Sequence, residues 1–455
     1  MVPPILTSLP GPDQLPTISP FTVSLSRGFL PLSDPPITLP APFSPVSSLL
    51  ERMPIRTAGG EPGLLATFTF GETLLKELPD LTEAVEEYTS DANIMCALYR
   101  DYSFLASAYL LEPCHERFVK GEGYGLGRQR LPACVARVLA KVAEISGFKP
   151  FMEYAGSYAL FNYRREDLEL GMEYSNLRLI RAFEHGLDPA SSEAGFVLVH
   201  VDMVKHSGQL VEAAIKILDA CASSDRRAYD EGLESLVQTM KQVNMVMEGM
   251  WRKSKPGEYN NFRTFIFGIT KQSMFPHGVV YEGVSEESLS FRGESGANDS
   301  MIPLCDNLLE IHMPDTPLTD ILKDFRSYRP GNHREFLEWV GARAREVGIS
   351  EYALKNRASA VFYLHALNQI RDFRWRHWCF TRAYVLGKTK HPTATGGSPI
   401  VLWLPNQLLS VYDQMLEVDR CWGGFPECKA IMDLVKTQRA TLTKEVEKYG
   451  SENGR

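Results

Sequence analysis

A single histidine, His377, stands in a decapeptide that is aromatic and cationic at once: Arg371-Asp372-Phe373-Arg374-Trp375-Arg376-His377-Trp378-Cys379-Phe380. That mixture suits a partner both flat and anionic. An iron porphyrin is one such partner, because it offers an apolar disc, takes an imidazole nitrogen at its metal and pairs its propionates with arginine. On a helix Arg374 lies three residues before His377 and shares its face. Taken alone, however, a histidine in such a segment is more often a half-buried residue bonded to a neighbour, with the aromatics as core.

Four further places carry residue types that do chemistry. His200 interrupts the apolar run Phe196-Val197-Leu198-Val199-His200-Val201, and a buried imidazole among apolar neighbours must be paired or used; a satisfied core histidine is the plainer alternative. Glycines flank a serine in Phe291-Arg292-Gly293-Glu294-Ser295-Gly296-Ala297-Asn298-Asp299-Ser300, so the backbone there can approach a ligand closely, or simply turn and cap the next helix. The spacing is not that of a nucleophile elbow. Arg263, among aromatics in Tyr259-Asn260-Asn261-Phe262-Arg263-Thr264-Phe265-Ile266-Phe267, has the planar fork that clamps a carboxylate, although a surface arginine is commoner. Thr395-Gly396-Gly397-Ser398 reads as a hinge that is either a lid or a plain loop.

The elements that must position these residues are mostly helical. Thirteen of the 29 prolines fall within the first 54 residues, which forbids a long helix there and predicts an extended arm. A helical pattern runs from about Gly63 to Cys96, divided near Pro79, and another from Pro132 to Ser146 beyond the glycine-rich turn at residues 121–127. Residues 154–183 predict short strands or an irregular connection. Beyond Leu187-Asp188-Pro189, long amphipathic helices are expected over Gly195–Ala222 as one element, then over residues 229–251, 334–346 and 351–386. The fold class is mainly α, with residues 1–187 as arm and small domain and residues 188–455 as a large helical domain.

Composition narrows the partners. Across 455 residues, 48 basic and 56 acidic side chains give a net charge of −8, which offers no footprint for nucleic acid. The eight cysteines show no C-x-x-C spacing, no apolar run approaches a membrane span, and the proline-broken N-terminus lacks a secretory pattern. A cytoplasmic monomer that binds a small molecule is expected.

In this order, the segments resemble the indoleamine 2,3-dioxygenase family, particularly its fungal members, from about Ser24 to about Glu417. The most specific stretch is Phe291 to Asp306, followed by Phe325-Arg326-Ser327-Tyr328-Arg329-Pro330 and the Arg374-x-x-His377 pair. The resemblance implies a small N-terminal α/β domain, a large all-helical domain holding haem b, and insertion of both atoms of O2 across the indole C2–C3 bond of L-tryptophan to give N-formylkynurenine. It matches His377 to the proximal iron ligand, Arg374 to an arginine near a haem propionate, and Asp306 to a carboxylate supporting the proximal side. Without it Asp306 reads as an ordinary helix-surface residue.

The resemblance also matches Phe196 to a ring that packs on the indole, Arg263 to the partner of the substrate carboxylate, and Ser295, Gly296 and Thr395 to loops closing over the amino-acid end. His200 falls where mammalian members carry serine and the related tryptophan 2,3-dioxygenases present a histidine. Glu258 stands where the mammalian pattern has a pocket phenylalanine, with Tyr259 beside it. Two rivals follow: a haem enzyme of this fold acting on another indole, and a haem-binding sensor with little turnover.

Overall fold

A helix that is apolar on every side has to be buried, and Ala92–Val119 is the clearest case in this protein. In the computed structural model, which describes residues 2–186, 188–313, 323–386, 394–397 and 400–452, every side chain from Met95 to Glu112 is buried. Asp91 caps its start, accepting from Asn93 N and Ile94 N. The charges it buries are paired: Asp101 binds Arg100 at 2.8 Å and Arg181 at 2.7 Å, and Glu112 accepts from Phe70 N, Gly71 N and Arg128. The periodic stripe that predicts a helix over residues 63–96 breaks into Leu64–Thr67, Phe70–Glu77 and a 3-10 turn at Ala84–Tyr88. The long helix then begins at Ala92, and residues 97–119 show no single apolar stripe because apolar residues occupy every side and the buried charges are paired within the fold.

The single helix expected over Gly195–Ala222 is two, Ser192–Val204 and Ser207–Ala222. The proline-rich arm causes the break. Ser207 Oγ donates to Val204 O at 2.6 Å and accepts from Phe29 N at 2.8 Å, and a Cβ on Gly208 would lie 2.5 Å from Leu25 O. The arm is therefore packed against the core, with Phe21, Val23, Phe29 and Leu30 buried. The stretch expected as one helix over 351–386 also divides, into Ile349–Leu354 and Arg357–Phe380, because Asn356 caps the second by accepting from Ala358 N and Ser359 N. A π-helical turn, Thr381–Leu386, follows. The remaining three expected helices are present as Ala133–Ser146, Arg226–Glu248 and Gly331–Val347.

Strands are few and short. Tyr163–Arg165 pairs antiparallel with Leu177–Leu179 in the region expected to hold them. Arg130–Leu131 pairs parallel with Val279–Tyr281, which pairs antiparallel with Ser288–Leu289. That second sheet joins chain from both sides of the expected boundary, at which Leu187 lies outside the described residues. The helical layer is a chain of neighbours: Arg226–Glu248 packs on Ser207–Ala222 and on Arg357–Phe380, which packs on Ile400–Cys421. No described helix is long and apolar enough to cross a membrane.

Candidate functional site

The Arg357–Phe380 helix turns one face to a cavity of about 690 Å³, and Phe373, Arg374, His377 and Phe380 line it. Those positions recur at the spacing of a single helical face. The other members of the decapeptide point elsewhere: Arg371 bonds Gln438, Arg376 bonds Glu248 and Asp372, and the indole of Trp378 donates to Glu445. Only part of the aromatic and cationic segment therefore faces the cavity, and the rest locks the helix to its neighbours. Burial pushes the His377 imidazole down to about 4, with smaller contributions from His200 and Arg374. The ring is thus neutral at pH 7, with a lone pair to give. Among the described residues its nitrogens make no hydrogen bond.

Arg374 donates to Asp306 at 2.7 Å and to Gln407 O at 3.4 Å. Asp306 lies on the Met301–Leu308 helix and lines the cavity, so its surface reading is corrected: the helix turns it inward against Arg374. Burial raises its carboxyl despite that arginine. Arg374 Nε is buried with no partner among the described residues.

A second wall comes from Ser192–Val204, where Phe196, His200 and Met203 line the cavity at i, i+4 and i+7. Gly195 permits this placement, since a Cβ there would lie 1.8 Å from Lys253 O. His200 Nδ1 lies 2.8 Å from Phe196 O. A carbonyl can only accept, so Nδ1 carries the proton and Nε2 is bare. Burial lowers the His200 pKa further. The Phe196 ring sits 5.4 Å from Tyr259 and 5.2 Å from His200.

Tyr259 and Arg263 share a face of the short Tyr259–Arg263 helix. Arg263 is 1% exposed, its cation opposes the rise that burial causes in the Tyr124 and Tyr259 hydroxyls, and its guanidinium lies 4.8 Å from the Phe267 ring centre. Glu258 turns away, accepting from Ser192 at 2.5 Å and Lys255 at 2.9 Å.

Two loops finish the enclosure. Gly268 and Gly293 cross so closely that a Cβ on either would lie within 2.2 Å of the other's nitrogen, which presents Glu294, Ser295 and Gly296 to the cavity. Ser295 also caps the turn Gly296–Asn298, so the loop is a turn with a cap that also lines the cavity. Thr395 Oγ1 donates to Glu294 O at 2.8 Å and Arg292 Nη1 to Gly396 O at 2.8 Å, pinning one loop on the other; Ser398 lies outside the described residues.

All ten residues singled out from the sequence, Phe196, His200, Tyr259, Arg263, Ser295, Gly296, Asp306, Arg374, His377 and Thr395, line this one cavity. Sequence reading passed over Glu294, Asp299 and Arg329, which line it too. Pattern alone gave no signal for them, since charges in loops are normally solvated.

A family model described as indoleamine 2,3-dioxygenase matches residues 17–415. The chain is 27% identical over 344 residues to the indoleamine 2,3-dioxygenase of Saccharomyces cerevisiae, covering 71% of this chain and 72% of that protein. It is 25% identical to human indoleamine 2,3-dioxygenase 2 over 71% of this chain and 74% of the relative. A protein named myoglobin from Haliotis diversicolor is 26% identical over 82% of this chain and 90% of its own length.

Proposed function

From the premise that the chain belongs to the indoleamine 2,3-dioxygenase family, we propose that it is a haem-dependent dioxygenase that opens the indole ring of L-tryptophan to N-formylkynurenine. The observation carrying this reading is the convergence on one cavity of a bare imidazole, an unsatisfied arginine nitrogen, a second neutral histidine and a buried arginine among aromatics. The residues fit a haem b. The cavity volume falls within the roughly 300–1,000 Å³ usual for cofactor and ligand sites, His377 offers the axial nitrogen, and Arg374 Nε awaits an anion such as a propionate. When bound, haem supplies the iron that lets O2 react with the indole C2–C3 bond.

The protein's part is placement. Arg263 takes the substrate carboxylate, and the rings of Phe196 and Tyr259 hold the indole while excluding water, which strengthens that ion pair. His200 accepts the indole N–H at its bare Nε2, because its Nδ1 proton is committed to Phe196 O. Asp306 fixes Arg374, and the loops carrying Ser295, Gly296 and Thr395 close over the amino-acid end. On this reading residues 1–187 are the smaller unit and residues 188–455 the haem-holding one; the described lining begins at Phe196.

Because one relative above is named myoglobin, product formation rather than haem content is the deciding test. Haem-loaded, reduced protein given L-tryptophan and isotopically labelled O2 should yield formylkynurenine carrying both labelled atoms. Tight haem binding without product would favour a sensor, and product only from another indole would reassign the substrate.

A further inference from the structure

Glu294 has no place in the assignments above, yet it is a buried acid on the cavity wall. It is 3% exposed and lines the cavity between the crossing glycines and Ser295. Among the described residues its carboxyl accepts no hydrogen bond and joins no ion pair. A buried acid without a partner is destabilising, so a side chain kept there needs a partner from outside the fold or must stay protonated.

The surroundings define that partner. Tyr259 feels both the Arg263 cation and the Glu294 carboxyl, which sets the two groups within electrostatic reach of one aromatic ring on the cavity wall. Glu294 directly precedes Ser295, on the loop that the reading above closes over the amino-acid end, and thus belongs to the end of the cavity that takes the substrate's polar tail. Its backbone carbonyl is held by Thr395 Oγ1, so the carboxyl is presented from a pinned loop. Burial and the neighbouring Glu153 push the carboxyl up to about 8.

Resting on the reading of Arg263 as the carboxylate clamp, we infer that Glu294 is the ammonium-binding residue of the site. The pair Arg263 and Glu294 then recognises the two charges of a free α-amino acid, and the substrate class is an indole bearing an unblocked primary amine. An N-acylated or peptide-bound indole leaves Glu294 buried and unpaired and is rejected for that reason.

The test uses the full-length, haem-loaded protein, its Glu294→Gln and Glu294→Gly variants, and three probes: L-tryptophan, tryptamine, which keeps only the ammonium, and indole-3-propionate, which keeps only the carboxylate. Binding is read by calorimetry, and turnover of L-tryptophan in parallel. Loss of a charged hydrogen bond should weaken L-tryptophan and tryptamine about tenfold or more, raising KM more than it lowers kcat, while indole-3-propionate stays within about twofold. The inference is overturned if the three probes change by one common factor, if none changes, or if wild type binds none of them. Both variants are checked by thermal melts, and the glycine variant decides the matter if the glutamine variant does not fold. The outcomes separate the two proposals. Wild type that forms formylkynurenine with variants unaltered sinks Glu294 alone; charge-selective binding without product sinks the dioxygenase reading alone.

Discussion

The wall that carries His377 is one helical face, and the remaining faces of that helix are tied down by Gln438, Glu248 and Glu445. The wall around Arg263 and Glu294 is assembled from a five-residue helix and two loops that meet through a glycine crossing and a threonine hydroxyl. The first wall has satisfied its polar groups outward and left a neutral imidazole and one arginine nitrogen inward. The second keeps buried charged groups, Arg263 and Glu294, on the cavity wall. Rigid helical packing suits a metal ligand, which must stay put in every state. Loops suit a specificity surface, since a changed side chain there alters what binds while the helices keep their packing.

The comparison can be broken at its strongest point. His377→Ala should remove the Soret band from purified protein entirely, while the helix, held by its outward contacts, keeps its far-ultraviolet dichroism; normal haem content would end the assignment. On the loop wall, Arg263→Ala should leave haem content unchanged and cut kcat/KM for L-tryptophan about 100-fold, since truncating one member of a buried charge pair costs several kcal/mol. Unchanged kinetics would rule out the carboxylate clamp. His200→Ser lies between the walls. If Nε2 only accepts a hydrogen bond, the variant should retain haem and lose no more than about tenfold in turnover, whereas total loss with intact haem would make His200 an obligatory proton carrier.

Legibility in the sequence follows the same division. The spacing of Arg374 and His377 is a helical signal, and the helix places both in the cavity. Phe196 and His200 were legible for the same reason. The break at Lys205-His206 was not, because its cause is the arm docking at Phe29 from far away in sequence. The 97–119 stretch was unreadable because a helix buried on every side has no amphipathic period. By pattern alone Asp306 could not be told from a surface acid; only the family resemblance singled it out, and the Met301–Leu308 helix turns it to the cavity. Glu294 was invisible because a charge in a glycine-rich loop is normally solvated, and only the crossing of Gly268 with Gly293 buries it.

The smallest effect bears on Glu294 and is one of stability. Its carboxyl is pushed from an ordinary value near 4.5 up to about 8 by burial and then by Glu153. Between those values the native state keeps a proton that the unfolded chain has released. The group therefore costs nothing below about pH 4.5, and stability falls as pH rises towards 8, by at most about 1.4 kcal/mol per pH unit. Glutamine cannot titrate, so the Tm of Glu294→Gln should match wild type near pH 5 and exceed it by a few degrees at pH 8. Glu153, itself pushed up to about 8 by burial, titrates in both proteins, and the difference between them isolates Glu294. Saturating L-tryptophan should erase the variant's advantage at pH 8, because a bound ammonium stabilises the carboxylate that wild type otherwise pays to bury. A variant advantage that is flat with pH would mean that Glu294 is already ionised and partnered in the empty protein, and the loop wall would then be as self-satisfied as the helical one.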